Sequence, residues 1–142
     1  MRALFLFIIC TSTLAAAQRS IEDPYMKAYN TAFDSLGRVE LSDAQTRIKG
    51  LREGGKPFQA ELDELRRGQH EVSDLLVKAV RLKKQALEEK KPAGVEEGTK
   101  VLGEAEAKAQ RLIASLKGLH EKLTAAGAPE IKTPERDPNA RD

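Results

Sequence analysis

The chain offers few side chains with which to do chemistry. Its only imidazoles are His70 and His120, and its only thiol is Cys10. His70-Glu71-Val72-Ser73-Asp74 begins like the metal-binding helix of a zinc protease but lacks the second histidine one turn on. His70 and Asp74 share a helix face, which makes at most a surface pair; a solvated histidine beside an apolar stripe is the simpler reading. Ser35, Ser42, Ser73 and Ser115 have no base and orienting acid in any pattern that would activate a hydroxyl. Glu88-Glu89 and Glu96-Glu97 lie in stretches so charged that they read as solvated surface. Glycines are scattered, and Gly54-Gly55 stands before Lys56-Pro57, not in a phosphate-cradling loop between strand and helix. These residues point away from an enzyme, and no cofactor or metal is expected.

One pair keeps an alternative open. Met26 stands near the start of the first predicted helix and His120 near the end of the last. In an antiparallel four-helix bundle both reach the same end of the core, where exported b-type cytochromes hold haem between such a pair. A small exported electron carrier ligated by Met26 and His120 is therefore the rival to a binding protein. Against it, Pro57 and Pro92 set helix lengths that suit that fold poorly, and no C-x-x-C-H motif offers covalent attachment. A purely structural bundle, with Met26 packed and His120 flanking leucines, is the third reading.

The elements that must carry these residues are helical. Residues 1–17 stand apart: Arg2 is followed by an apolar run from Ala3 to Leu14, then Ala15-Ala16-Ala17. That is the pattern of a secretory signal peptide, too short to span a bilayer. Ile9 is too bulky before Cys10 for a lipoprotein site. Cleavage after Ala17 removes the cysteine, and with it any disulfide. It also removes Arg2, leaving basic and acidic residues nearly equal in number. So balanced a chain has no bulk electrostatic reason to bind nucleic acid. The protein reads as exported, and periplasmic if bacterial.

All six prolines, at 24, 57, 92, 129, 134 and 138, fall where helices begin or end. Proline is tolerated in a first turn and costs about 3 kcal/mol in a helix interior. Asp23-Pro24 reads as a cap and first helical residue, Gly54-Gly55-Lys56-Pro57 as a stop and restart, and Lys90-Lys91-Pro92-Ala93-Gly94 as the next turn. Between them, apolar residues recur at three–four spacing: Tyr25, Tyr29, Phe33 and Leu36; then Phe58, Leu62, Leu65, Val72, Leu76 and Ala79; then Leu102, Ala105, Ala109, Leu112, Leu116, Leu119 and Leu123. Gln69 and Lys83 interrupt the middle stripe, and Leu75, Leu82 and Leu87 run beside it, so that helix touches more than one neighbour. The spacing predicts helices over 24–37, 43–53, 57–91 and 94–126, with a break at 38–42. The fold class is all-α: an elongated antiparallel hairpin or bundle of three to four helices, two of them long. Residues 18–127 form the helical domain; 128–142, proline-rich, charged and aperiodic, read as a disordered tail.

Leu41-Ser42-Asp43-Ala44-Gln45, followed by Ile48 and Leu51, contains a capping box. Ser42 would accept from the Gln45 amide while the Gln45 side chain reaches back to Ser42 N–H. Ser42→Ala is then expected to cost about 1 kcal/mol. The same residues, Leu41, Ser42, Gln45 and Ile48, resemble the LTxxQ signature of the Spy/CpxP-like periplasmic proteins, with serine in place of threonine. A proline-marked turn leading into a long Arg/Lys/Glu-rich helix is similar too. Where many members repeat the motif, this chain has Leu123-Thr124-Ala125-Ala126-Gly127, with glycine in the glutamine's place.

The resemblance implies an exported all-α protein, commonly an antiparallel dimer shaped like a shallow cradle. Relatives act as ATP-independent chaperones, as brakes on envelope-stress sensor kinases, or as metal sensors. The scarcity of His and Met speaks against the last of these. The expected partners are unfolded or envelope proteins and a second copy of the chain. Their contact surface should be an apolar-and-basic face along helix 57–91. The run Lys78, Arg81, Lys83, Lys84, Lys90 and Lys91 is a solvated face first, and a weak contact to acidic lipid head groups second.

Overall fold

A computed structural model describes residues 23–132. The expected signal peptide, residues 1–17, and the last part of the expected tail lie outside the described residues. Four helices follow one another: α1 (Pro24–Gly37), α2 (Ser42–Lys49), α3 (Gly55–Glu88) and α4 (Ala93–Ala125). There is no strand among the described residues, so the protein is all-α. No described helix is long and apolar enough to cross a membrane.

Local chemistry accounts for most helix ends. The Asp23 side chain accepts from the Tyr25 amide at 3.0 Å, with Pro24 at the first helical position. Gly54 enters α3 with φ +78°, a left-handed conformation that glycine adopts without steric cost. Helix α4 ends in a full Schellman turn: Ala128 N–H donates to Leu123 O at 2.9 Å and Gly127 N–H to Thr124 O at 3.1 Å, with Gly127 at φ +80°. Gly127 is therefore the helix stop. At the end of α3 the same left-handed position is taken by Lys90, at φ 54°, and Lys91 N–H reaches Ala86 O at 2.9 Å.

The chain breaks between α1 and α2, as the sequence predicts. Arg38 and Val39 amides turn back to Ser35 and Leu36 carbonyls at 3.1 and 3.0 Å. Val39 is buried, and its carbonyl accepts from Gln69 Nε2 of α3 at 2.9 Å. The polar interruption of the α3 stripe thus supplies the hydrogen bond that the broken helix cannot make for itself.

Helices α3 and α4 form an antiparallel hairpin. A Cβ on Gly94 would meet Ala86, one on Gly98 would come within 3.2 Å of the Ala79 carbonyl, and Gly68 faces Leu112. The α1–α2 segment lies along this hairpin parallel to α4: Tyr25 packs at Gly98, Ser35 bonds Gln110, and Arg47 bonds His120. Four helices therefore make three arms running up, down and up. The core is a narrow aliphatic seam of Leu62, Val72, Leu76 and Ala79 from α3 with Leu102, Ala105, Ala109, Leu112, Leu116, Leu119 and Leu123 from α4. Tyr25, Ala32, Val39, Ala44 and Ile48 of the first arm close it. Each fully buried leucine is worth about 1.5–3 kcal/mol. Of the expected tail, Ala128 is buried and Pro129 lies against Gly50.

Candidate functional site

The predicted capping box does not form. Leu41 precedes α2 with near-helical φ −90° and ψ −15°, no side chain caps the helix, and Gln45 N–H bonds the Leu41 carbonyl at 3.0 Å. A capping serine needs extended dihedrals, and Ser42 is already inside the helix. The hydroxyl is left exposed, and the Ser42 carbonyl accepts from Thr46 Oγ1 at 3.1 Å. Gln45 works instead across helices. Its Nε2 donates to Gln59 Oε1 at 3.0 Å, and its Oε1 accepts from Arg66 at 3.3 Å. Ile48 is a core residue and Leu41 is half-buried.

Met26 and His120 do not come together, and the haem alternative fails on this geometry. Met26 lies beside Tyr25, which packs at Gly98 near the start of α4, whereas His120 is 22 residues further along that helix, about 33 Å. The reason is parity. The break at 38–41 does not reverse the chain, so the bundle has an odd number of arms and its first and last run parallel. The start of one and the end of the other then lie at opposite ends. His70 is exposed on α3, and no group of three acidic, histidine or cysteine residues that could hold a metal exists among the described residues.

Two regions stand out instead. At the end of the bundle where α4 stops, Arg47 of α2 is 6% exposed. Its guanidinium donates from Nε to Pro129 O at 3.1 Å, from Nη1 to His120 O at 3.1 Å and from Nη2 to Thr124 Oγ1 at 2.6 Å. Nη1 also lies 3.0 Å from His120 Nδ1. A guanidinium carries donors alone, so Nδ1 must be the acceptor and the ring proton sits on Nε2. Burial holds His120 below its ordinary histidine pKa, and the Arg47 charge adds to this while Asp43 opposes it. The cation also sits by the carbonyl end of α4, where the helix dipole favours it. The sequence analysis does not single out Arg47. The signal that could have found it is its place one turn after Ala44 and beside Ile48, on the buried face of α2.

At the other end, α1 and α3 leave an open groove. Tyr25, Met26 and Tyr29 form one wall, and Val80, Lys83, Lys84 and Leu87 the other. Tyr25, Tyr29 and Phe33 stack in series with centroids 6.5 and 6.1 Å apart. Leu87 is 65% exposed and Phe33 56%, with Met26, Val77 and Val80 each nearly half exposed. Lys83 leans inward, its ammonium 4.4 Å from the Tyr25 ring centroid and 3.8 Å from Asp23 Oδ2. The second interruption of the α3 stripe thus also serves the first arm, and the basic run is not one free face. The Tyr25 hydroxyl is buried without a hydrogen-bond partner among the described residues. Its pKa is pushed up by burial, with Tyr29 and Asp23 adding. The groove between α3 and α4 offers less apolar surface, being bridged by Lys108–Glu71 and Lys122–Glu61 ion pairs.

The groove supplies apolar area with cations at its edge; the polar end supplies a buried network with every Arg47 contact internal to the chain. No family model matches the chain, and no characterised protein and no solved structure is detectably similar to it.

Proposed function

We propose that the protein binds other polypeptides, as an exported chaperone-like or envelope-stress protein that works without ATP or a cofactor. The observation that carries this reading is the open α1–α3 groove, where Met26, Val80 and Leu87 keep apolar surface in water beside Lys83 and Lys84, and where Phe33, itself exposed, stacks on the groove residue Tyr29. Exposed apolar surface gathered in one place marks an interaction site more often than scattered residues do. The groove lies on the C-terminal part of the helix, expected over 57–91, along which the sequence suggests an apolar-and-basic contact face. The resemblance of Leu41–Gln45 to the LTxxQ signature supports the same reading and adds export and a homodimer to it. No catalytic role is part of the proposal.

The test is light scattering of a chemically denatured client diluted into buffer with the mature protein at equal molar ratio and no ATP. Suppression of aggregation beyond that of an inert protein at equal mass is expected. Phe33→Ser with Leu87→Ser, both at exposed positions, should abolish most of it while leaving the helical circular dichroism unchanged. No suppression across several clients overturns the chaperone reading and leaves partner binding by the groove to be tested by crosslinking.

A further inference from the structure

Helix α2 has eight residues, too few to be stable alone. Only Ala44, Arg47 and Ile48 bury its face. It is held at its N-terminal side by the Gln45–Gln59 bond and at its C-terminal side by the Arg47 guanidinium, which also fastens Pro129. Four of the five guanidinium N–H groups are used there, one of them on His120 Nδ1 at 3.0 Å. That contact exists only while the imidazole is neutral. A second ring proton would place N–H against N–H and a positive charge beside a buried positive charge.

We propose that Arg47 and His120 form a proton-operated latch: protonation of His120 releases α2 and residues 128–130 from the end of α4, while the α3–α4 hairpin stays folded. The charged groups facing the ring are Asp43 and Arg47 from α2 and Glu130 from the segment after α4. Asp43 and Glu130 favour the proton and Arg47 opposes it. On α3, Glu61 is paired with Lys122 of α4. Desolvation of the ring works with Arg47, so the folded latch prefers the neutral form. Opening exposes Ala44, Ile48 and Ala128, apolar surface that the closed state buries. The hairpin does not need the latch, because its seam from Leu62 to Leu123 is made by α3 and α4 themselves.

The experiment is hydrogen exchange of the mature chain at pH 7.5 and 5.0, corrected for the intrinsic pH dependence of exchange. Protection in 42–49 and 128–130 should fall on acidification, by up to about tenfold per pH unit below about 6.5, while α3 and α4 interiors stay protected. His120→Asn offers an acceptor oxygen near the Nδ1 position and cannot titrate, so it should keep α2 protected at both pH values. Asp43→Asn should move the opening to lower pH. Independently of any variant, ring nitrogen NMR of the wild type should show the Nε2–H tautomer at pH 7.5. Equal protection at both pH values in the wild type, an unchanged loss of protection on acidification in His120→Asn, or an Nδ1–H ring at pH 7.5 would each overturn the latch.

Discussion

The two ends of the bundle hold the first arm in opposite ways. At the α4 C-terminus the arm is anchored by a buried cation whose donors meet carbonyls, a hydroxyl and an imidazole. At the α4 N-terminus it is anchored by a tyrosine ring between Gly98 and Lys83, with a buried hydroxyl that has no hydrogen-bond partner among the described residues. The polar end is directional: each contact demands one partner in one place. The apolar end is not, and it leaves surface over. A thin aliphatic core thus fixes its register at one end and keeps exposed apolar surface at the other. Ring stacking and dispersion tolerate a change of partner, whereas a buried guanidinium does not.

The strongest way to break this contrast is Arg47→Ala. It strips donors from His120 O, Pro129 O and Thr124 Oγ1 and leaves a hole, so it should cost about 3 kcal/mol in urea unfolding. If it costs no more than a surface substitution, the two ends are not different in kind. Gly50→Ala attacks the same end sterically. The added Cβ would lie 2.4 Å from Pro129 Cγ, and the segment must shift at about 1–3 kcal/mol, read as a lower melting temperature.

Acid should weaken the polar end alone. The folded pKa of His120 lies below its unfolded value, so the unfolded chain takes up the proton first. The contribution is present in full above the unfolded pKa of about 6.5 and is lost as pH falls from there toward the folded pKa. One group sets a limit of about 1.4 kcal/mol per pH unit, and a pH series of denaturation midpoints with and without His120→Asn isolates it.

The apolar end should respond in the other direction. Tyr25→Phe removes a buried hydroxyl that has no partner and keeps the stacked ring, so stability should rise by about 1 kcal/mol. A loss of similar size would mean that the hydroxyl is satisfied in solution. Smallest is Ser42→Ala, now expected within about 0.5 kcal/mol because the hydroxyl is exposed and caps nothing.

The helix starts and the last stop were legible in the sequence because they are local, whereas α2, expected to reach residue 53, ends at Lys49, and α3, expected over 57–91, spans Gly55–Glu88. Pro24, Gly54, Pro92 and Gly127 act on their own φ and ψ, and each marks a real end within a residue or two. The apolar stripes were legible for the same reason, since a three–four spacing is a property of one helix. The capping box failed for a finer one: a Ser-x-x-Gln spacing is necessary for the box, but the dihedrals of Leu41 place the helix start one residue too early for it.

Sequence alone determined the all-α class, the two long helices and the break between α1 and α2. Only the tertiary structure decided the meaning of the polar residues on the apolar stripes. Gln69 serves the carbonyl of the broken arm, Lys83 covers a tyrosine, and Arg47 goes inside. Each is satisfied by a residue 30 or more positions away, except that nothing in its own neighbourhood distinguishes it from a solvated side chain. The count of arms was likewise tertiary. A break that reverses the chain and one that does not look alike in sequence, yet only the second kind runs the first and last arms parallel and puts Met26 and His120 at opposite ends of the bundle.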